Sequence, residues 1–256
     1  MKKPSFLKRE APPLVCMAQG YTAKRIQELI QAGAADGAEA FGIQLERLEP
    51  QYRNEKTYRR LFEAASPLPV YVTNYRSYGN SDKSDSQLAE ELIGLAECGA
   101  TLCDVMGDIF DACEGELTEN EQAVERQIKL IERLHSAGAE VLMSSHILSF
   151  TPAERVLKIA LEHQRRGADI SKIVTGASDM AEQIENLRII NMLKEKLEIP
   201  FLFLSGGECH ISRRLGASLG NCMTLCVQEY DELSTAAQPR LTDMKILRNM
   251  MEDKKL

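Results

Sequence analysis

The chain has no tryptophan, and aromatic residues of any kind make up only 5% of its 256 positions. It therefore offers no stacking platform for single-stranded nucleic acid. Positive charge is not in excess: 31 Lys and Arg against 38 Asp and Glu give a formal charge of −7, whereas a duplex binder needs cations to displace counterions. A long apolar run is missing too. The longest, Ile199 to Leu204 with Pro200 inside it, is far too short to cross a bilayer. The basic start, Met1 to Glu10, has no hydrophobic stretch behind it and does not read as a secretory signal. Seven cysteines form no CxxC pair, and several sit in apolar runs where a thiol behaves as a small hydrophobe, which points to the reducing cytoplasm. A small anionic substrate stays open, because local Arg placement overrides the global sign.

What is present is enough apolar side chain, 44%, to bury a full core, and it is arranged as a repeat. Short apolar runs at Leu14–Ala18, Glu39–Leu45, Val70–Thr73, Thr101–Met106, Glu140–Ser144, Ser171–Thr175, Phe201–Leu204 and Cys222–Val227 read as strands. Between and after them, helical spacing covers Thr22–Ala35, Asn54–Ala65, Ser84–Cys98, Glu119–Ser136, Pro152–Arg166, Asp179–Leu197, Ser212–Leu219 and Thr242–Met251. The recurrence of about 25 to 35 residues is the size of a βα unit. Gly33, Gly99, Gly138 and Gly167 fall where helices should stop, and Thr151-Pro152 reads as an N-cap followed by proline at the first helical position. Eight such units predict a single-domain TIM (β/α)8 barrel over residues 1–256. The rival, an open doubly wound sheet, lacks its Gly-x-Gly-x-x-Gly turn after the first strand.

A barrel does its chemistry at the C-terminal ends of its strands. Those ends present Arg47, Tyr75-Arg76-Ser77, Asp104, Ser144-Ser145-His146, Lys172, Ser205-Gly206-Gly207 and Gln228. Lys172 sits inside an apolar strand; there it either reaches solvent along its stem or loses water. A desolvated, neutral amine attacks a carbonyl to form an imine. His146, directly after the fifth strand, is the neighbouring acid/base candidate; its alternative is a loop histidine held by hydrogen bonds. His135 and His163 lie on polar helical stretches and are expected at the surface. Glu208, Cys209 and His210 are three adjacent residues with poor geometry for a metal and no second cluster. Arg213, near the start of the seventh helix, makes a carboxylate receptor, and Arg76 and Arg47 add two cations at strand ends. The acidic stretch from Glu114 to Glu125 reads as an exposed face.

With these residues in view, Ser144-Ser-His-Ile-Leu-Ser-Phe-Thr-Pro152, then Gly167-Ala-Asp-Ile-Ser-Lys-Ile173, then Ile211-Ser-Arg213 resemble the type I 3-dehydroquinate dehydratases, roughly from Pro12 to Asn249. The resemblance implies a lyase of the shikimate pathway that removes water from 3-dehydroquinate, or from a close cyclic keto acid. Lys172 matches the imine-forming lysine and His146 the acid/base. Arg213 matches the arginine that holds the substrate carboxylate. Ser234 and Gln238 match a polar pair on the loop after the eighth strand, and Arg76 and Arg47 match further arginines around the substrate. No metal and no external cofactor are implied; the expected partner is the small anionic keto acid, with a homodimer by analogy and neither nucleic acid nor membrane.

The departures concern two acidic positions. Aligning on Arg47 puts Leu45 where the family carries a glutamate and leaves Glu46 on the opposite face of the strand, unless a one-residue bulge turns Glu46 inward to the substrate. Asn80 stands where an acidic residue orients the histidine, with Asp82 nearby as a substitute. These differences keep two alternatives open. One is an imine-forming aldolase or lyase on a retuned pocket; the other is a non-catalytic barrel that still binds a ligand.

Overall fold

The computed structural model describes residues 4–252. The outermost residues of the expected domain, 1–3 and 253–256, lie outside the described residues, as does the first part of the basic start. Eight strands alternate with eight helices: β1 (Leu14–Ala18), α1 (Ala23–Ala35), β2 (Ala40–Gln44), α2 (Glu55–Ala65), β3 (Val70–Thr73), α3 (Asp85–Cys98), β4 (Leu102–Met106), α4 (Glu121–Ser136), β5 (Glu140–His146), α5 (Ala153–Arg165), β6 (Ile170–Gly176), α6 (Met180–Lys196), β7 (Phe201–Gly206), α7 (Ser212–Leu219), β8 (Thr224–Val227) and α8 (Leu241–Glu252). The strands are parallel and ordered β7-β6-β5-β4-β3-β2-β1-β8, so the sheet curls back on itself as the barrel the repeat predicts.

Strand alternation sorts the side chains into two layers. Val15, Met17, Tyr71, Leu102, Leu142, Ile170, Val174, Leu202 and Leu225 fill the lumen, and Phe6 packs with them ahead of the first strand. Phe6 is held by its N–H, which donates to Glu140 (2.8 Å). Residues of opposite parity, such as Cys16, Phe41, Val72 and Val141, face the helices and join their apolar stripes. Each buried Leu or Ile is worth roughly 1.5–3 kcal/mol, so the layers together fix the register. On β6 this alternation sends Ile170, Lys172 and Val174 inward. Ser144 of β5 is the partner of Lys172, and His146 that of Val174, which leaves Lys172 and His146 facing one lumen.

Two local expectations change. Gly99, Gly138 and Gly167 take positive φ at helix ends as expected, but Gly33 lies inside α1, and Gly37 (φ 88°) makes that turn. Pro152 is itself the N-cap of α5, while the Thr151 hydroxyl donates to the Ser149 carbonyl; the helix starts one residue later than the sequence suggests.

The ends of the strand order, β7 and β8, meet without a ladder among the described residues. The Cys222 N–H donates to the Phe201 carbonyl (2.9 Å). The Asn221 side chain then does what a strand backbone would do: its Oδ1 accepts from Phe203 N–H and its Nδ2 donates to the Phe203 carbonyl, both at 2.9 Å. Asn221 lies against Gly216 of α7, where a Cβ would collide with its amide. Replacing Asn221 by Ala leaves a buried N–H and C=O of Phe203 without partners, so a loss of about 1–3 kcal/mol is expected. Urea unfolding measures it, and an unchanged midpoint would remove this role from Asn221.

Candidate active site

A cavity of about 500 Å³ opens at the C-terminal ends of the strands, lined among others by Glu46, Arg47, Tyr75, His146, Lys172, Arg213 and Gln238. At its floor Lys172 is 5% exposed. Of the two expectations for this lysine, reaching solvent or losing water, the structure shows the second, and the buried amine has an anion. Its Nζ donates to Asp104 Oδ2 (3.1 Å), Tyr71 OH (3.0 Å) and Tyr75 OH (2.7 Å). Both phenols donate in turn to Asp104 Oδ2, and the Ser144 hydroxyl donates to its Oδ1 (2.5 Å). Burial alone would raise the Asp104 carboxyl, but Lys172, His146 and these hydroxyls hold it below the ordinary carboxylate range. Burial and the adjacent carboxylate push both phenols well above theirs, so they stay protonated donors.

The imidazole of His146 is oriented by Glu116. One carboxylate oxygen accepts from His146 N–H (2.9 Å) and contacts ring Nδ1 (2.8 Å), and the edge of the His146 ring meets Tyr75, centroids 5.2 Å apart. The carboxylate beside Lys172 thus comes from strand β4 and the one holding His146 from the loop after it, and Tyr75 touches both the lysine and the imidazole. Glu116 sits in the left-handed region (φ 47°) after Gly115 (φ 83°), which turns it out of the acidic face the sequence suggested. A buried network holds that loop. Arg166 donates to the carbonyls of Gly107 (3.0 Å) and Thr118 (2.7 Å) and to Gln127 (2.8 Å), and the Ser145 hydroxyl donates to the Glu116 carbonyl (2.6 Å). Gly107 permits the approach, since a Cβ there would stand 2.5 Å from that carbonyl. Asn80 and Asp82 do not orient His146. Asn80 is buried against Arg53, Asn74 and the Tyr75 carbonyl, and Asp82 is exposed.

Glu46 does face the cavity, and no bulge is needed. β2 ends at Gln44, and Leu45–Arg47 form a 3-10 turn that Arg53 clamps by donating to the carbonyls of Leu48 and Glu46. The turn breaks strand alternation, so Leu45 joins the outer core while Glu46, 2% exposed, accepts from the Thr73 hydroxyl (2.9 Å). Burial raises its carboxyl to about 7 against the hydrogen bonds it receives. Arg47 stacks on Tyr78 (3.3 Å), and its buried Nε has no partner.

The remaining expected residues divide. Arg213, 8% exposed, donates its Nε to the Ser205 carbonyl (2.6 Å) and meets no carboxylate among the described residues; burial pushes it down to about 10. Gln238 lines the cavity with an unpartnered Oε1. Arg76 reaches the rim, but its guanidinium is held by Asp85 (2.6 and 2.8 Å) and Asp108 (2.7 Å). Ser234 is not in the cavity: it caps Asp231, and Thr235 takes the lining position. Gln228 points away, to Asp36 (3.1 Å). His135 pairs with Asp169 near the surface, but His163 is fully buried between Ser145 (3.1 Å) and Ser171 (3.0 Å), and burial and Arg166 push it down to about 3. Among the described residues no group of three or more His, Cys, Asp or Glu is placed to hold a metal ion, and no helix is long and apolar enough to cross a membrane.

A family model described as type I 3-dehydroquinase matches residues 15–255. Among curated relatives, a 3-dehydroquinate dehydratase of Listeria monocytogenes is 28% identical over 127 residues, 49% of this chain and 48% of that protein. One of Syntrophotalea carbinolica is 27% identical over 188 residues, 72% of this chain and 69% of that protein. The chain spans about half the length of the Listeria relatives it matches. The crystal structure of a 3-dehydroquinate dehydratase from Geobacillus kaustophilus superposes with a TM-score of 0.83 at 13% identity, covering 98% of this chain and 95% of that one. A type I enzyme from Clostridium difficile gives 0.79 at 18%, covering 98% of both. At these identities the superpositions establish the fold.

Glu46 and His163 pull stability in opposite directions with pH. The stabilisation tied to protonated Glu46 is full below its unfolded value near 4.5 and is lost as pH rises through about 7. That tied to neutral His163 is full above 6.5 and is lost as pH falls toward about 3. From pH 4.5 to 6.5 the slopes oppose, each at most about 1.4 kcal/mol per pH unit. Urea unfolding across that window should therefore show stability rising more steeply with pH in Glu46→Gln than in the unmodified protein, and less steeply in His163→Gln. Identical slopes in all three would refute the assignment.

Proposed function

The chain belongs to the type I 3-dehydroquinase family, and from that premise we propose that it is a cytoplasmic, Schiff-base-forming lyase that dehydrates 3-dehydroquinate. The observation that carries this reading is a buried lysine in one cavity with an oriented imidazole and a buried arginine that has no anionic partner among the described residues. Arg213 takes the substrate carboxylate. Removing such a charge from water costs several kcal/mol unless an anion repays it, so the site is selective for acids. Lys172, having given up a proton, attacks the ketone; water leaves, and a protonated imine remains. That cation draws electrons from the neighbouring C2–H bond. His146 takes the C2 proton and returns it to the departing C1 hydroxyl, with Glu116 stabilising the imidazolium in between. Hydrolysis of the product imine restores Lys172. Glu46, Arg47 and Gln238 line the same cavity and bring a carboxyl, a guanidinium and an amide to the substrate hydroxyls.

The alternative of a barrel that binds without catalysing rested on the two missing acidic positions. Glu46 reaches the cavity through its turn, and Glu116 does for His146 what position 80 does not, so both functions have a carboxylate.

Borohydride with 3-dehydroquinate should add the ligand mass to the protein, and Lys172→Ala should abolish the adduct; an adduct surviving in Lys172→Ala would end this reading. Turnover is followed by the ultraviolet absorbance of the conjugated enone. Arg213→Ala is expected to raise KM more than it lowers kcat. Glu116→Gln, which leaves the carboxylate receptor intact, should lower kcat on the order of 10²-fold at similar KM.

A further inference from the structure

The lysine cluster contains more than a nucleophile needs. Asp104 accepts from Nζ and from two phenols, yet it is 3% exposed and does not line the cavity. The two tyrosines stand between it and the space a substrate would fill. They differ in reach: Tyr71 is fully buried, whereas Tyr75 is partly exposed, touches Nζ at the shorter distance (2.7 against 3.0 Å) and packs its ring against His146. The Tyr75 carbonyl is fixed by Asn80 (2.8 Å), so the ring is anchored from its own backbone.

We propose that Tyr75 is a catalytic residue, the proton relay between Asp104 and the substrate oxygen during imine formation. This rests on the reading of Lys172 as the imine-forming nucleophile. In the resting state the lysine is an ammonium beside a carboxylate. One Nζ proton passes to Tyr75 Oη as Tyr75 passes its own to Asp104 Oδ2, leaving a neutral amine and a carboxylic acid. The amine attacks the ketone carbon, forming the C–N bond, and a proton moves from nitrogen to the former carbonyl oxygen to give a neutral carbinolamine. The Asp104 proton then returns through Tyr75 to that hydroxyl. The C–O bond breaks, water leaves, and a protonated imine faces an Asp104 carboxylate again. Charge and protons balance at each step: ammonium plus ketone gives iminium plus water. Asp104 can take the first proton directly, but it does not line the cavity, whereas Tyr75 does. This leaves His146 free for the C2 proton.

The test is the rate at which borohydride traps the imine under saturating 3-dehydroquinate, in the unmodified protein, Tyr75→Phe and Tyr71→Phe. Removing the relay is expected to slow trapping by about 10²-fold or more in Tyr75→Phe, and by less than about tenfold in Tyr71→Phe. Binding of quinic acid, which carries the carboxylate and hydroxyls without the ketone, should change little in either variant. That binding separates a lost proton path from a collapsed pocket. Trapping as fast in Tyr75→Phe as in the unmodified protein overturns the relay alone, as does equal slowing in the two variants. An unmodified protein that is never trapped overturns the imine reading, and the relay with it.

Discussion

One ion pair organises this molecule. Placing a lysine in the lumen of a barrel removes its ammonium from water, at a cost that packing alone does not recover. Asp104 answers it from two strands away, with Ser144 of the intervening β5 donating to its other oxygen. The two phenols complete the arrangement, so that every polar atom in the cluster has a partner, as a low-dielectric interior requires. The apolar lumen residues beneath and the helices outside provide the rigidity; the ion pair fixes where the lumen lysine stands within it.

The second organising device is a loop held from behind. Arg166 is buried with its guanidinium on two carbonyls and a glutamine of the β4–α4 region. His163, neutral, joins Ser145 of β5 to Ser171 of β6. Together they carry Glu116 to His146 across a backbone geometry that a non-glycine residue rarely adopts. Side chains outside the cavity lining thus set the angle of the imidazole, and the strain at Glu116 is offset by the network around it.

The barrel was legible because period and punctuation agreed, and Lys172 and His146 because each interrupts an apolar strand with a reactive group at the correct end. What stayed hidden shares a physical cause: side-chain direction in turns obeys no period. Glu46 looked outward under strand alternation, but the chain had already left the strand. Glu116 sat in an acidic stretch, and only the left-handed pair Gly115-Glu116 sets it apart. His163 lies among charged neighbours on α5, yet it follows the buried positions Val156, Ile159 and Ala160 at helical spacing, a stripe that could have revealed it. Asp104, with the lumen parity of Leu102, was visible as a strand residue; its partnership with Lys172 needed the curl of the sheet. Ser234 and Thr235 differ by one residue on an irregular loop, where no repeat chooses between them.

The joint at Asn221 gives the ring a latch. Elsewhere neighbouring strands are joined by ladder pairs; here, among the described residues, the Asn221 amide and one backbone hydrogen bond fasten the two ends of the sheet. The buried Arg213 stands on α7, which runs straight from β7 to that latch and carries the glycine against which it closes. The guanidinium of Arg213 is therefore mounted beside the least cross-linked seam of the cylinder, and loosening there would shift it against Lys172, whose strand β6 adjoins β7 but is laddered on both sides.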